Sequence, residues 1–197
     1  MVAEGRLRPA VFIDRDGVIN EERNYVHQIS EFAFLPGAIE GLKKLQDLGY
    51  ALVVVTNQAG IAKGFYTEAD FERLTNHMLQ KLLKDGVKIS GVYHCPHHPN
   101  GVVTKFTVFC ECRKPRPGML LRAANDLGVL MEKSILVGDK ISDIEAGFAA
   151  GITTNILVES GHEIEEASKD VATVVCKNLD DAAEWIAINF PKNVMPS

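Results

Sequence analysis

The 197-residue chain is 46% hydrophobic and 24% charged, ordinary proportions for a soluble globular protein with one sizeable core. Its net charge of −5 argues against a general nucleic-acid or anionic-membrane surface. No apolar run reaches the roughly 20 residues of a membrane span. The start, Met1-Val2-Ala3-Glu4-Gly5-Arg6, carries no apolar signal core, so a cytoplasmic location is expected.

The first predicted strand, 10–14, is a β-branched and aromatic run that ends in Asp14, with Asp16 and Gly17 directly behind it. Pro36 precedes a helix over 37–48, which has Ala38, Leu42 and Leu45 on one face and stops at Gly49. A second strand over 51–56 leads into Thr56-Asn57. Thr67-Glu68-Ala69-Asp70 resembles a capping box and opens a helix over 67–84, with Phe71, Leu74, Met78 and Leu82 at helical spacing. Strand 90–94 follows. Pro117 is suited to start a helix over 117–127 that closes at Gly128. Strand 134–138 delivers Gly138-Asp139-Lys140 and a helix over 142–150, and strands 153–158 and 172–176 come next. Leu179, Ala182, Ala183, Ile186 and Phe190 mark a final helix. Cys176, at the end of an apolar run, reads as a buried core thiol.

Strands alternating with helices imply a three-layer, Rossmann-like α/β fold with a parallel sheet covered on both faces. The chain shows no repeat or interdomain linker, so 1–197 reads as one domain. In such sheets ligands bind at the carboxyl ends of strands, and three strands here end in polar groups suited to one site. A carboxylate approaching a phosphate ester needs a cation to offset their repulsion, and Mg²⁺ supplies it with few protein carboxylates. Asp14 fits the nucleophile of an aspartyl-phosphate mechanism and Asp16 the acid and base. Thr56 and Asn57 fit as holders of the phosphoryl oxygens, and Lys114 balances charge. Asp139 completes the Mg²⁺ site, with Asp143 supporting it. A D-x-D pair alone is a weak signal; the ordered set is a stronger one.

Cys95, Cys110 and Cys112 fall within 18 residues, near His94, His97 and His98. C-x-H, twelve residues, then C-x-C suits a closed, structural Zn²⁺ site that staples the long 95–113 loop. Spacing does not choose among the three histidines. Because Cys112 lies two residues before Lys114, this staple would also fix the lysine.

D-x-D-G at 14–17, T-N at 56–57, Lys114 and G-D-x-x-x-D at 138–143 together resemble the haloacid dehalogenase superfamily of phosphohydrolases. Longer stretches resemble its heptose 1,7-bisphosphate 7-phosphatase branch: D-R-D-G-V-I-N (14–20), V-V-V-T-N-Q-A-G-I-A (53–62), C-P-H-H-P (95–99), C-x-C-R-K-P-x-P-G-M-L (110–120) and V-G-D-K (137–140). That resemblance implies Zn²⁺ on Cys95, His97, Cys110 and Cys112. It implies Mg²⁺ on Asp14, Asp139 and the backbone carbonyl of Asp16. It also implies substrate contacts from Gln58, Arg113 and Lys140, and from the Glu22–Tyr25 stretch, where Arg23-Asn24 stand in place of an expected small residue before Tyr25. With no insertion large enough for a cap domain, loops 18–36, 59–66 and 95–113 must form the rim. Lys63 and Arg23 on those loops, with Arg113 and Lys140, favour a doubly anionic sugar bisphosphate as substrate. A monomer is expected. The competing readings are a histidinol-phosphate phosphatase and a non-catalytic sugar-phosphate or zinc-binding module.

Overall fold

The computed structural model describes residues 8–162 and 169–191; the Met1–Arg6 stretch lies outside the described residues. The strands are β1 (Ala10–Ile13), β2 (Ala51–Asn57), β3 (Ile89–Cys95), β4 (Ile135–Gly138), β5 (Thr154–Val158) and β6 (Val174–Cys176). The helices are α1 (Ala38–Asp47), α2 (Ala59–Ala62), α3 (Glu68–Lys84), α4 (Gly118–Leu127), α5 (Ile141–Ala149) and α6 (Leu179–Asn189). Among the described residues the strands form one sheet in the order β3-β2-β1-β4-β5-β6. Every pairing is parallel, with Val11 opposite both Leu52 and Ile135.

Strand alternation divides the core in two. Val11 and Ile13 face a cluster with Leu42, Leu74, Met78 and Leu179, while Ala10 and Phe12 face Leu120, Ile144 and Leu157. A sheet covered on both faces has no solvent side, which is why its central strands read as unbroken apolar runs. The chain leaves β1 toward β2 and later returns to β1's other edge as β4. Such a reversal opens a crevice at the carboxyl ends of the two strands. Asp14 and Asp139 sit there, one directly after each strand, and Asp14 still donates its backbone N–H to Val137 O at 3.0 Å.

The capping box at α3 forms as expected: Asp70 N donates to Thr67 Oγ1 at 3.2 Å and Thr67 N donates to Asp70 Oδ2 at 2.9 Å. Gly128, at φ 64°, closes α4 in the left-handed region. Several boundaries differ from the sequence reading. Pro117 caps α4 rather than beginning it. Asn57 is the last residue of β2, one beyond the expected end of that strand. Segment 59–66, expected as a loop of the rim, holds α2, a helix of four residues that is too short to show a period. Cys176 is only partly buried, because β6 is an edge strand.

Leu82 and Leu83 are adjacent on α3, yet one is fully buried and the other 65% exposed. Urea unfolding should therefore separate them. Leu82→Ala is expected to cost about 2–5 kcal/mol, and Leu83→Ala less than about 0.5 kcal/mol. Similar losses for both would contradict this assignment of the packed face.

Candidate active site

The crevice is organised around a buried ammonium. Lys114 Nζ lies 3.1 Å from Asp14 Oδ1 and 2.5 Å from Asp143 Oδ1, and it donates to Val55 O at 2.8 Å. Two carboxylates and one carbonyl thus surround it. The side chain of Asn57 holds the lysine's backbone: Asn57 Nδ2 donates to Lys114 O and Lys114 N donates to Asn57 Oδ1, both at 3.1 Å. Asn57 therefore anchors the charge-balancing residue, a role its sequence position does not reveal. Asp143 is set by the first turn of α5, where Lys140 N donates to its Oδ2 at 3.1 Å. Breaking a buried pair of this kind by removing one partner typically costs about 3–5 kcal/mol.

Asp139 is 2% exposed; its Oδ1 is buried with no hydrogen-bond partner, and its Oδ2 lies 2.5 Å from His162 Nδ1. Two glycines make room for it. A Cβ on Gly17, itself at φ 84°, would come within 2.4 Å of Asp139 Oδ2, and one on Gly161 within 2.1 Å. Only glycine allows both the left-handed turn after Asp16 and this approach.

Burial pushes the Asp14 carboxyl up to about 8; the Lys114 charge opposes this, and the neighbouring aspartates Asp143, Asp139 and Asp16 reinforce it. Asp139 is raised for the same reason, burial first and Asp143 second, with His162 opposing. Burial disfavours the Lys114 charge, but Asp14 and Asp143 outweigh it and hold the ammonium protonated. Asp14, Asp139 and Asp143 offer oxygens that all lie within 4.8 Å of one another. Carboxylates in excess over one lysine, with an orphaned buried oxygen among them, fit a hard divalent cation.

Asp16 behaves differently. Its carboxylate turns from that cluster to Arg15 Nη2 at 2.8 Å, Asn20 Nδ2 at 3.0 Å and Gln58 Nε2 at 2.9 Å. Arg15 itself is 1% exposed and lies 5.5 Å over the Phe71 ring. The two aspartates thus occupy separate environments although one residue divides them.

Above these groups opens a cavity of about 510 Å³, and every predicted catalytic or substrate-contacting residue lines it. Lys63 lines it as well, but Arg23, also expected at the rim, does not; it pairs with Glu21 instead. Asn24 and Tyr25 have φ of 55° and 68°. Asparagine tolerates this region better than most side chains, so the loop keeps the turn that a glycine would otherwise make. Sequence reading missed His162, Ser142 and Tyr66, and considered His98 only as a zinc ligand, whereas all four line the cavity. The findable signal for His162 was its place just past β5, a fourth strand end.

Beside Lys114, the four predicted zinc ligands converge. Cys112 Sγ lies 3.2 Å from Cys95 Sγ, 3.3 Å from Cys110 Sγ and 3.3 Å from His97 Nδ1. Cys95 Sγ lies 3.5 Å from Cys110 Sγ and 3.7 Å from His97 Nδ1. A tetrahedron with Zn–S of about 2.3 Å has edges of about 3.8 Å, so the cluster is close to the required size. Burial raises the Cys95 and Cys112 thiols. Burial would raise Cys110 too, but hydrogen bonds from Cys112 and Cys95 bring it below its ordinary value. Three neighbouring thiols with a histidine nitrogen suit a thiophilic cation. His94 does not join them; it stacks against Phe71 with centroids 4.2 Å apart.

Comparison with known proteins agrees with this geometry. A family model described as HAD-hydrolase-like matches residues 111–182. A D-glycero-β-D-manno-heptose-1,7-bisphosphate 7-phosphatase from Yersinia pestis is 46% identical over 182 residues, which cover 92% of this chain and 97% of the relative. The chain belongs to this heptose-bisphosphate 7-phosphatase family of haloacid dehalogenase-like hydrolases. A Photorhabdus laumondii phosphatase named for the α anomer is 47% identical over 85% of this chain and 91% of its own. The solved D,D-heptose 1,7-bisphosphate phosphatase of B. bronchiseptica, complexed with magnesium and phosphate, superposes with a TM-score of 0.77 at 28% identity, over 92% of this chain and 99% of that one. The phosphatase fold is thus shared along nearly the whole sequence. Among the described residues, no helix is long and apolar enough to cross a membrane.

The electrostatics of the cation-free phosphatase give a signed prediction. A carboxyl raised on folding from 3.8 to about 8 stabilises the fold below pH 3.8, and this contribution is lost as pH rises through about 8. In EDTA the melting temperature should therefore decline between about pH 5 and 9. Asp14→Asn, which has no proton to lose, should flatten that decline. An equally steep decline in the variant would contradict the raised Asp14.

Proposed function

We propose that this phosphatase removes the 7-phosphate of D-glycero-D-manno-heptose 1,7-bisphosphate through an aspartyl-phosphate on Asp14, in the biosynthesis of nucleotide-activated heptose. The observation that carries the reading is the buried Lys114 between Asp14 and Asp143 at the floor of a cation-rimmed cavity.

An Asp14 oxygen bonds to phosphorus as the bond from phosphorus to the C7 oxygen breaks. Asp16 gives its proton to the departing alkoxide. It then takes a proton from water as the water oxygen bonds to phosphorus and the Asp14–phosphorus bond breaks. The Thr56 hydroxyl and the backbone beside it hold the transferring oxygens, and Lys114 offsets their charge. Asp14, Asp139 and the carbonyl of Asp16 would hold Mg²⁺, with Asp143 behind them. When bound, that ion lets a dianionic phosphate and a carboxylate approach each other. Cys95, His97, Cys110 and Cys112 would hold a structural Zn²⁺, fixing the loop that carries Arg113 and Lys114.

The rim supports a second anionic group on the substrate. Lys63, His98, Arg113 and Lys140 line it, opposed by Glu22. A cationic amine such as that of histidinol phosphate would meet like charge there, which disfavours that alternative. A non-catalytic relative would have little use for every group of the mechanism, and here none is missing. The site is complete within one chain, which fits a cytoplasmic monomer acting on a small molecule. Relatives named for either anomer are about equally similar, so the reading extends to the heptose and not to its anomer.

Turnover of heptose 1,7-bisphosphate, histidinol phosphate and simple monophosphates, compared side by side, tests the substrate. The bisphosphate should have the highest kcat/KM, and a preference for histidinol phosphate would overturn the assignment. Separately, Asp14→Asn should lower turnover by more than about 10³-fold while zinc content by elemental analysis stays unchanged. Retained activity would remove the nucleophile.

A further inference from the structure

We infer that Tyr66 is a positioning residue: its hydroxyl fixes the Gln58 carboxamide, and that carboxamide sets the general acid Asp16 against the phosphoryl-holding Thr56. The inference rests on the reading of Asp16 as the acid.

Gln58 is 2% exposed and Tyr66 6% exposed, so water is largely excluded from both. Gln58 Nε2 donates to Asp16 Oδ2 at 2.9 Å and to Thr56 Oγ1 at 2.8 Å. One amide thereby spans the proton donor and the hydroxyl that faces the phosphoryl group. A carboxamide rotated by half a turn would present oxygen to the Asp16 carboxylate, which repels it. Two groups on the other side prevent this rotation. Tyr66 O–H donates to Gln58 Oε1 at 2.5 Å, and Arg15 Nη2 approaches the same oxygen at 3.4 Å. Arginine has no acceptor, so the atom facing it must be the oxygen. Burial raises the Tyr66 hydroxyl above its ordinary value, which keeps it a donor.

The ring is held as firmly as the hydroxyl. His27 stacks on it with centroids 5.1 Å apart and planes 6° from parallel. On another side Gly60 leaves it space, since a Cβ there would fall 2.1 Å from Tyr66 Cε1. Tyr66 belongs to none of the motif residues assigned to chemistry, yet it is seated rigidly one hydrogen bond away from the amide that touches two of them.

The consequence depends on the leaving group. A sugar alkoxide needs a proton as it departs, whereas a nitrophenolate leaves without one. Loss of Asp16 alignment should thus slow only the first kind of substrate, and kcat/KM reports that step because it ends with leaving-group departure. Tyr66→Phe keeps the ring and removes the donor. Its kcat/KM on heptose 1,7-bisphosphate should fall about tenfold and on p-nitrophenyl phosphate by less than about twofold. In a Gln58→Ala background, Tyr66→Phe should have no further effect. Equal losses on the two substrates, no loss on either, or losses that multiply in the double variant would each overturn the inference. Asp16→Asn, assayed alongside, separates the two levels. If it shows the leaving-group dependence and Tyr66→Phe does not, only the positioning role fails. If it lacks that dependence, the acid assignment fails and the positioning role falls with it.

Discussion

A single buried ammonium holds the site together. Lys114 Nζ sits between Asp14 and Asp143, and without it those carboxylates would face each other in a space nearly closed to water. Like charges in such surroundings shift toward neutrality, and the raised Asp14 shows that one lysine does not fully compensate. The remaining imbalance is what makes the crevice suited to a divalent cation. Lys114 arrives from a loop, not from a strand, so something must hold that loop. Asn57 clasps its backbone from β2, and Cys112 of the cysteine cluster lies two residues before it. The cluster and the crevice thus adjoin through one short stretch of chain.

The neighbouring acids of β1 are divided by their partners. Asp14 stays in the lysine-centred cluster, while Asp16 is drawn aside by Arg15, Asn20 and Gln58. The nucleophile and the acid of the proposed mechanism need different surroundings, and the chain gives the two carboxylates different partners within three residues. Gly17 contributes by turning the backbone sharply enough for Asp139 to close in beneath it.

Much of this was legible in the sequence for identifiable reasons. Strands covered on both faces appear as unbroken β-branched runs, and their order with the helices gives the layered parallel sheet. Strand ends then locate Asp14, Thr56 and Asp139, and the C-x-H and C-x-C spacings locate the thiol cluster. Direction was not legible. Arg23 and Lys63 are both basic residues on rim loops, but only packing decides that Lys63 faces the cavity while Arg23 turns to Glu21. Asn57 looked like a phosphoryl contact because its clasp on Lys114 spans residues 57 apart in sequence. His162 escaped notice because the end of β5 was not weighed with the other three. Asn24 looked like a departure at a glycine-like position, and its φ of 55° shows how asparagine meets the same backbone demand.

In the proposed mechanism the Asp14 carboxylate, among carboxylates balanced by Lys114, becomes covalently phosphorylated. This step is tested most directly by acid-quenching a single turnover of heptose 1,7-bisphosphate and mapping the peptides by mass spectrometry. One phosphoryl group is expected on the peptide containing Asp14, localised to that residue and absent from Asp16. Phosphoryl transfer to water with no phosphorylated peptide in the fastest quenches, or a phosphoryl group on another side chain, would contradict it.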